Sequence, residues 1–160
     1  VWHYEMIAMS LILIVVLLAC VLQILQIVSD QKLTRKETLF LRLPFSVYLA
    51  WLSIATGINM TVYLVSLEWD SFCGIEPTWT ILLLLVGLLI GIKAVLKEKH
   101  AAFGFVYVWA YAGILTKHLS PNGFVGQYPG IITVLIASLI VLLPASVYVL
   151  IHKLKKAYLN

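Results

Sequence analysis

Five apolar runs, none with an Asp, Glu, Lys or Arg in its middle, occupy most of this 160-residue chain. A bilayer core of about 30 Å requires about 20 apolar residues per helix. In lipid each backbone amide must be satisfied within its own segment, so such runs fold as helices. The runs are Tyr4–Val28, Phe40–Leu67, Thr78–Ile92, Ala101–Thr116 and Tyr128–Ile151, here called segments A to E. No period-two alternation supports a β-barrel. Apolar residues make up 62% of the chain and charged ones 11%, against about half and a quarter in soluble domains. A soluble core of this length cannot hide that much aliphatic surface. The expectation is an all-α integral membrane bundle of five transmembrane helices, one transmembrane domain over residues 1–160.

The punctuation fits these edges. Pro44 and Pro77 sit near helix starts, where the first amides lack partners anyway. Ser120-Pro121-Asn122-Gly123 reads as a turn, and Pro144 inside segment E is expected to kink it. Segment D, at 16 residues, has a re-entrant loop as its rival reading, and charge decides between them. If all five segments cross, ten of the eleven basic residues gather on one side: Lys32, Arg35, Lys36, Arg42, Lys93, Lys97, Lys99, Lys153, Lys155 and Lys156. Only Lys117 falls on the other. The positive-inside rule then puts the N-terminal end outside and Asn160 in the cytoplasm. Trp2, Tyr4, Trp69, Trp79 and Tyr128 would line the outer interface, where amphipathic rings prefer to sit. The chain opens without the basic and cleavable features of a signal peptide, and Val1 suggests a start inside a longer protein or after processing.

The basic balance does not signal nucleic acid, because the charges lie in short loops and form no face. Cys20 and Cys73 make no disulfide framework. Proton relays usually need a mid-membrane ionisable group, and none is present. The histidines, His3, His100, His118 and His152, stand at helix ends and form no ligand pair at helical spacing; His3 and His118 share the outer side as a remote haem-ligand reading. No metal site and no catalytic set are expected, which argues against an enzyme.

Segment B is the most informative. At about 100° per residue, Tyr48, Trp51, Ala55 and Asn59 fall on one narrow stripe, with Thr56 and Tyr63 beside it. An indole, a phenol and an amide on one face are costly against lipid tails. They belong against another helix, where Asn and Tyr act as interhelical glue, or against a flat ligand held in the space over Ala55. A second stripe, Phe103, Tyr107 and Tyr111, recurs every four residues on segment D and reads as core, with Trp109 pointing away. Gly87 and Gly91 form a GxxxG that permits close approach inside the monomer or in a homodimer. Gln23 and Gln26 lie at the cytoplasmic end of segment A, where water reaches them.

Tyr48, Leu49, Trp51, Leu52, Ala55, Thr56, Ile58 and Asn59 together resemble the last helix of the tryptophan-rich sensory protein family (TspO, or translocator protein, type). That helix reads roughly Pro-Tyr-Leu-x-Trp-aliphatic-x-x-Ala-Thr-x-Leu-Asn. The stretch from Trp2 to Asp30, with its short basic loop, resembles the helix before it. The resemblance covers about residues 1–67, leaving three additional helices in 68–160. Val47 stands where the family has its Pro. The family's first three helices are not visible before Val1, so the chain resembles an extended relative lacking them. The resemblance implies binding of porphyrins or related tetrapyrroles, with Tyr48, Trp51, Ala55 and Asn59 on the ligand side, and a sensing or transport role. No cofactor is required. The alternative is an accessory subunit that packs against other transmembrane helices and takes no small molecule.

Overall fold

The computed structural model describes residues 6–31, 34–67, 76–97 and 100–159, apart from the side chains of Arg35, Glu76 and 156–159. Trp2, His3, Tyr4, Trp69, Cys73 and the acidic connection at 68–75 lie outside the described residues. The chain is all-α and divides into two compact units, residues 1–76 and 77–160.

In the first unit, α1 (Ile7–Asp30) precedes a short α2 (Arg35–Glu37), a π-helical turn (Thr38–Arg42) and α3 (Leu43–Ser66). The covered apolar positions of α1 are Ile7, Leu11, Ile14, Leu18, Val21, Leu25 and Val28, in alternating steps of four and three. That 3.5-residue repeat is the seam of a helix packed along one partner in a left-handed pair. The partner is α3, running antiparallel, since Ser10 near the start of α1 meets Asn59 late in α3 at 3.4 Å. Ser10 and Ser29 are part-covered as well, and the rest of α1 points outward, including Ile12, Val16 and Ile27. The entry to α2 is a reciprocal cap. The Thr34 N–H and hydroxyl both donate to Glu37 Oε2 at 2.8 Å, and the Glu37 N–H donates back to Thr34 Oγ1 at 3.3 Å. This is a capping box, Thr-x-x-Glu, whose spacing is plain in the sequence.

The second unit holds α4 (Glu76–Ile92), a π-helical turn (Lys93–Lys97), α5 (Ala101–Leu119) and α6 (Pro129–Leu159). The buried stripe of α6 is Ile131, Leu135, Ser138, Leu142, Ser146 and Val149. Both serines return their hydroxyls to their own helix, to the carbonyls of Val134 and Leu142 at 2.7 Å. Their polar atoms are therefore satisfied and the small side chain lets a neighbour approach. Gly104 of α5 uses that space: a Cβ there would strike Ser146 Oγ and Val95.

The helices run past the apolar edges at several ends. α1 reaches Asp30, α5 reaches Leu119 and α6 reaches Leu159, because backbone hydrogen bonding continues into the polar zone where side-chain polarity no longer matters. α6 continues as one helix through Pro144. Among the described residues, four helical stretches are long and apolar enough to cross a membrane: Ile7–Asp30, Thr38–Ser66, Pro77–Lys97 and Pro129–Lys155. α5 is not among them. Its 19 residues include Gly104, Gly113, Thr116, Lys117 and His118, so a five-span count goes beyond what length and composition support.

Candidate functional site

The four residues of the segment B stripe all lie on α3, but they meet different surroundings. Tyr48 is 42% exposed and Trp51 46%, while Leu49, Ala50 and Leu52 beside them are buried. Ala55 and Asn59 are half-buried. The Asn59 amide is oriented from two sides. Its Nδ2 donates to the Ala55 carbonyl at 2.9 Å, and its Oδ1 accepts from the Ser10 hydroxyl of α1. Asn59 is thus part of the α1–α3 seam, as interhelical glue of the ordinary kind. Thr56, on the flank, donates to the Leu52 carbonyl at 2.7 Å. The face therefore presents two accessible rings on successive turns, a methyl side chain one turn further on, and an amide already held in place.

The second stripe is filled. Phe103 and Tyr107 stack at 5.1 Å with a 16° interplanar angle, and Tyr107 and Tyr111 follow at 5.9 Å. Tyr107 is 1% exposed. The two glycines of the GxxxG on α4 sit directly against these rings. A Cβ on Gly87 would collide with the Tyr111 hydroxyl, and one on Gly91 would lie 3.0 Å from Leu142 and 3.5 Å from Tyr107. The Tyr111 hydroxyl donates to the Leu84 carbonyl at 2.7 Å. Two motifs read separately in the sequence are the two halves of one intramolecular interface. Trp109, on the opposite face, is exposed as its phase requires.

The described histidines, all near helix ends, differ in their surroundings. His118 is buried, its Nδ1 2.9 Å from the Ile114 carbonyl and its ring 4.8 Å from Phe124 and 6.2 Å from Tyr128. The turn after α5 wraps it. The Gly126 N–H donates to the His118 carbonyl at 2.9 Å from a φ of +74°, a conformation glycine adopts without cost. Gly123 is needed for space, since a Cβ there would run into the Lys117 carbonyl. Nothing in the local spacing foretold this burial, because Phe124 and Tyr128 reach His118 only once the turn has closed. His100 is also buried, and His152 stacks on Tyr148 at 6.2 Å. His3 is outside the described residues, so the shared haem-ligand reading has no geometry. Among the described residues no group of three or more His, Cys, Asp or Glu gathers to hold a metal ion. Cys20 is exposed.

A family model described as TSPO-like protein matches residues 1–148. The match takes in α1 to α5 and most of α6, and so reaches well beyond residue 67. No curated protein and no solved structure matches the chain.

Proposed function

The chain belongs to the TSPO-like protein family, and from that premise we propose that this membrane protein binds a flat hydrophobic ligand, a porphyrin or related tetrapyrrole, on the Tyr48–Asn59 face of α3. One observation carries the reading. Of the two aromatic stripes, the one on α5 is covered by glycines and neighbouring side chains, whereas the Tyr48 and Trp51 rings keep nearly half their surface accessible. Trp51 supplies a stacking plane, Tyr48 a phenol at its edge, and Ala55 leaves room beside them. An aromatic contact of this kind contributes about 0.5–1.5 kcal/mol beyond the area it buries. Asn59 holds α1 against the back of the site through Ser10.

All five long helices cross the bilayer in this reading. α5, at 19 residues, reaches about 28 Å, and its crossing keeps the basic ends of α4 and α6 on one side. The N-terminal end lies outside and the C-terminus in the cytoplasm. No helix middle holds an Asp, Glu, Lys, Arg or His, so movement of ligand is not coupled to protons. Any turnover draws on the ligand's own chemistry, such as light absorption, and the role is sensing or passive transport.

The test is a porphyrin titration of the purified protein followed by tryptophan quenching. Saturable binding weakened by Trp51→Ala, and again by Ala55→Leu, supports the proposal. Unchanged affinity in both variants rejects it in favour of an accessory subunit whose α3 face is covered by a transmembrane helix of another protein. Topology is tested in a cysteine-free background: cysteine at position 71 labels from outside intact cells and cysteine at 34 or 97 does not.

A further inference from the structure

The segment between α1 and α3 has an unusual makeup for a short connection. α3 alone is 24 residues long, about 36 Å, and already exceeds the hydrocarbon thickness of about 30 Å. The π-helical turn Thr38–Arg42 opens the apolar stretch Thr38–Ser66 and so stands at its very end, next to the headgroup level. Phe40 there is 74% exposed, the most exposed large apolar side chain among the described residues of the first unit, and Leu39 and Leu41 are exposed beside it. The same nine residues, Thr34 to Arg42, carry Arg35, Lys36 and Arg42. The acidic member, Glu37, has Oε2 occupied by the Thr34 N–H and hydroxyl, so it braces the segment from within. Net charge and exposed apolar side chains are thus concentrated on one rigidly capped turn.

We infer that residues 34–42 form a docking surface for anionic phospholipid headgroups, with Leu39 and Phe40 seated among the upper acyl carbons and the basic charge of the segment, foremost the exposed Lys36, facing the phosphates. Apolar side chains on a helical turn at this depth partition into the interface. Each Lys or Arg near an anionic surface strengthens the association about fivefold. The surface is independent of the α3 ligand face.

The experiment uses the full chain, with Cys20 and Cys73 replaced by Ser and Leu39→Cys carrying an NBD fluorophore, in phosphatidylcholine vesicles. Quenching is compared between phosphatidylglycerol and phosphatidylcholine bearing the same acyl-chain nitroxide at equal mole fraction. The anionic quencher should be several-fold more effective. The advantage should shrink with added salt and shrink in part with Lys36→Gln, at an exposed position. Arg35→Gln and Arg42→Gln added to it should abolish the advantage, while Lys153→Gln with Lys155→Gln on α6 leaves it intact. Equal quenching by the two lipids would overturn the inference. So would a preference that survives the triple substitution, or one lost equally with the α6 pair.

Discussion

The chain carries two aromatic stripes of similar spacing on two helices, and they have opposite fates. On α5, Phe103, Tyr107 and Tyr111 are buried against Gly87 and Gly91 of α4, with the last hydroxyl bonded to the Leu84 carbonyl. On α3, Tyr48 and Trp51 remain accessible although Leu49, Ala50 and Leu52 between and beside them are buried. The difference lies in the facing helix. α4 offers two glycines one turn apart, a groove into which rings fit. α1 offers an aliphatic heptad seam with one serine, Ser10, at the height of Asn59. A ring stripe becomes core where small residues answer it at matching intervals, and stays available for something else where they do not.

The strongest way to break this contrast is to fill the groove. Gly87→Leu drives a side chain into the Tyr111 hydroxyl, and overpacking of that kind costs about 1–3 kcal/mol. Thermal unfolding in detergent should show a marked drop in Tm, and porphyrin binding measured well below that Tm should be unaffected. Tyr111→Phe sharpens the same point more gently. Losing the hydroxyl removes a hydrogen bond of the size found between membrane helices, about 0.6 kcal/mol and up to about 1.7, partly offset by relief of the carbonyl's desolvation only if Leu84 finds another donor. A Tm equal to that of the parent protein would mean the bond contributes nothing.

Asn59→Ala tests the seam on the other side of the comparison. It removes the Ser10 contact at 3.4 Å, a long bond, so the expected loss is about 0.5 kcal/mol, with a parallel weakening of ligand binding through the displaced α1. Binding lost without any change in stability would instead make the amide a direct ligand contact. The smallest effect belongs to Glu37. The Thr34 N–H and hydroxyl hold its carboxyl below the ordinary carboxylate range. The folded pKa is depressed, so the cap is fully formed above the unfolded pKa and is lost as pH falls through the lower folded value. Amide exchange at residues 34–38, corrected for its intrinsic pH dependence, should quicken only in that acid range, and Glu37→Gln should remove the transition.

The sequence made some of this legible and concealed the rest for identifiable reasons. The apolar runs fix helices because lipid allows no other way to satisfy their amides, and the positions of Pro44, Pro77 and Asn122-Gly123 limit their ends. The α5 stripe and the α4 glycines were each readable, but their partnership was not, since Gly87 and Tyr111 meet only when two helices are set antiparallel in one register. The exposure of Trp51 was equally invisible, because periodicity assigns a face and not what covers it. Burial of His118 depends on a turn in which Val125 and Gly126 both take positive φ, a conformation no spacing rule announces for a valine. The Thr34–Glu37 box was fully present in the letters and is the one local feature that hydropathy alone passes over.

The central claim is that the α3 stripe is a binding face and the α5 stripe is core. Trp51→Ala and Tyr107→Ala test it as a pair, each measured for porphyrin affinity and for Tm in the same detergent. Trp51→Ala should weaken binding several-fold and leave Tm nearly unchanged. Tyr107→Ala should lower Tm by an amount corresponding to about 3–5 kcal/mol, the usual cost of emptying a large buried aromatic site, and leave the affinity of the folded fraction intact. The reverse pattern, with Trp51→Ala unfolding the protein at parental affinity, would contradict the account.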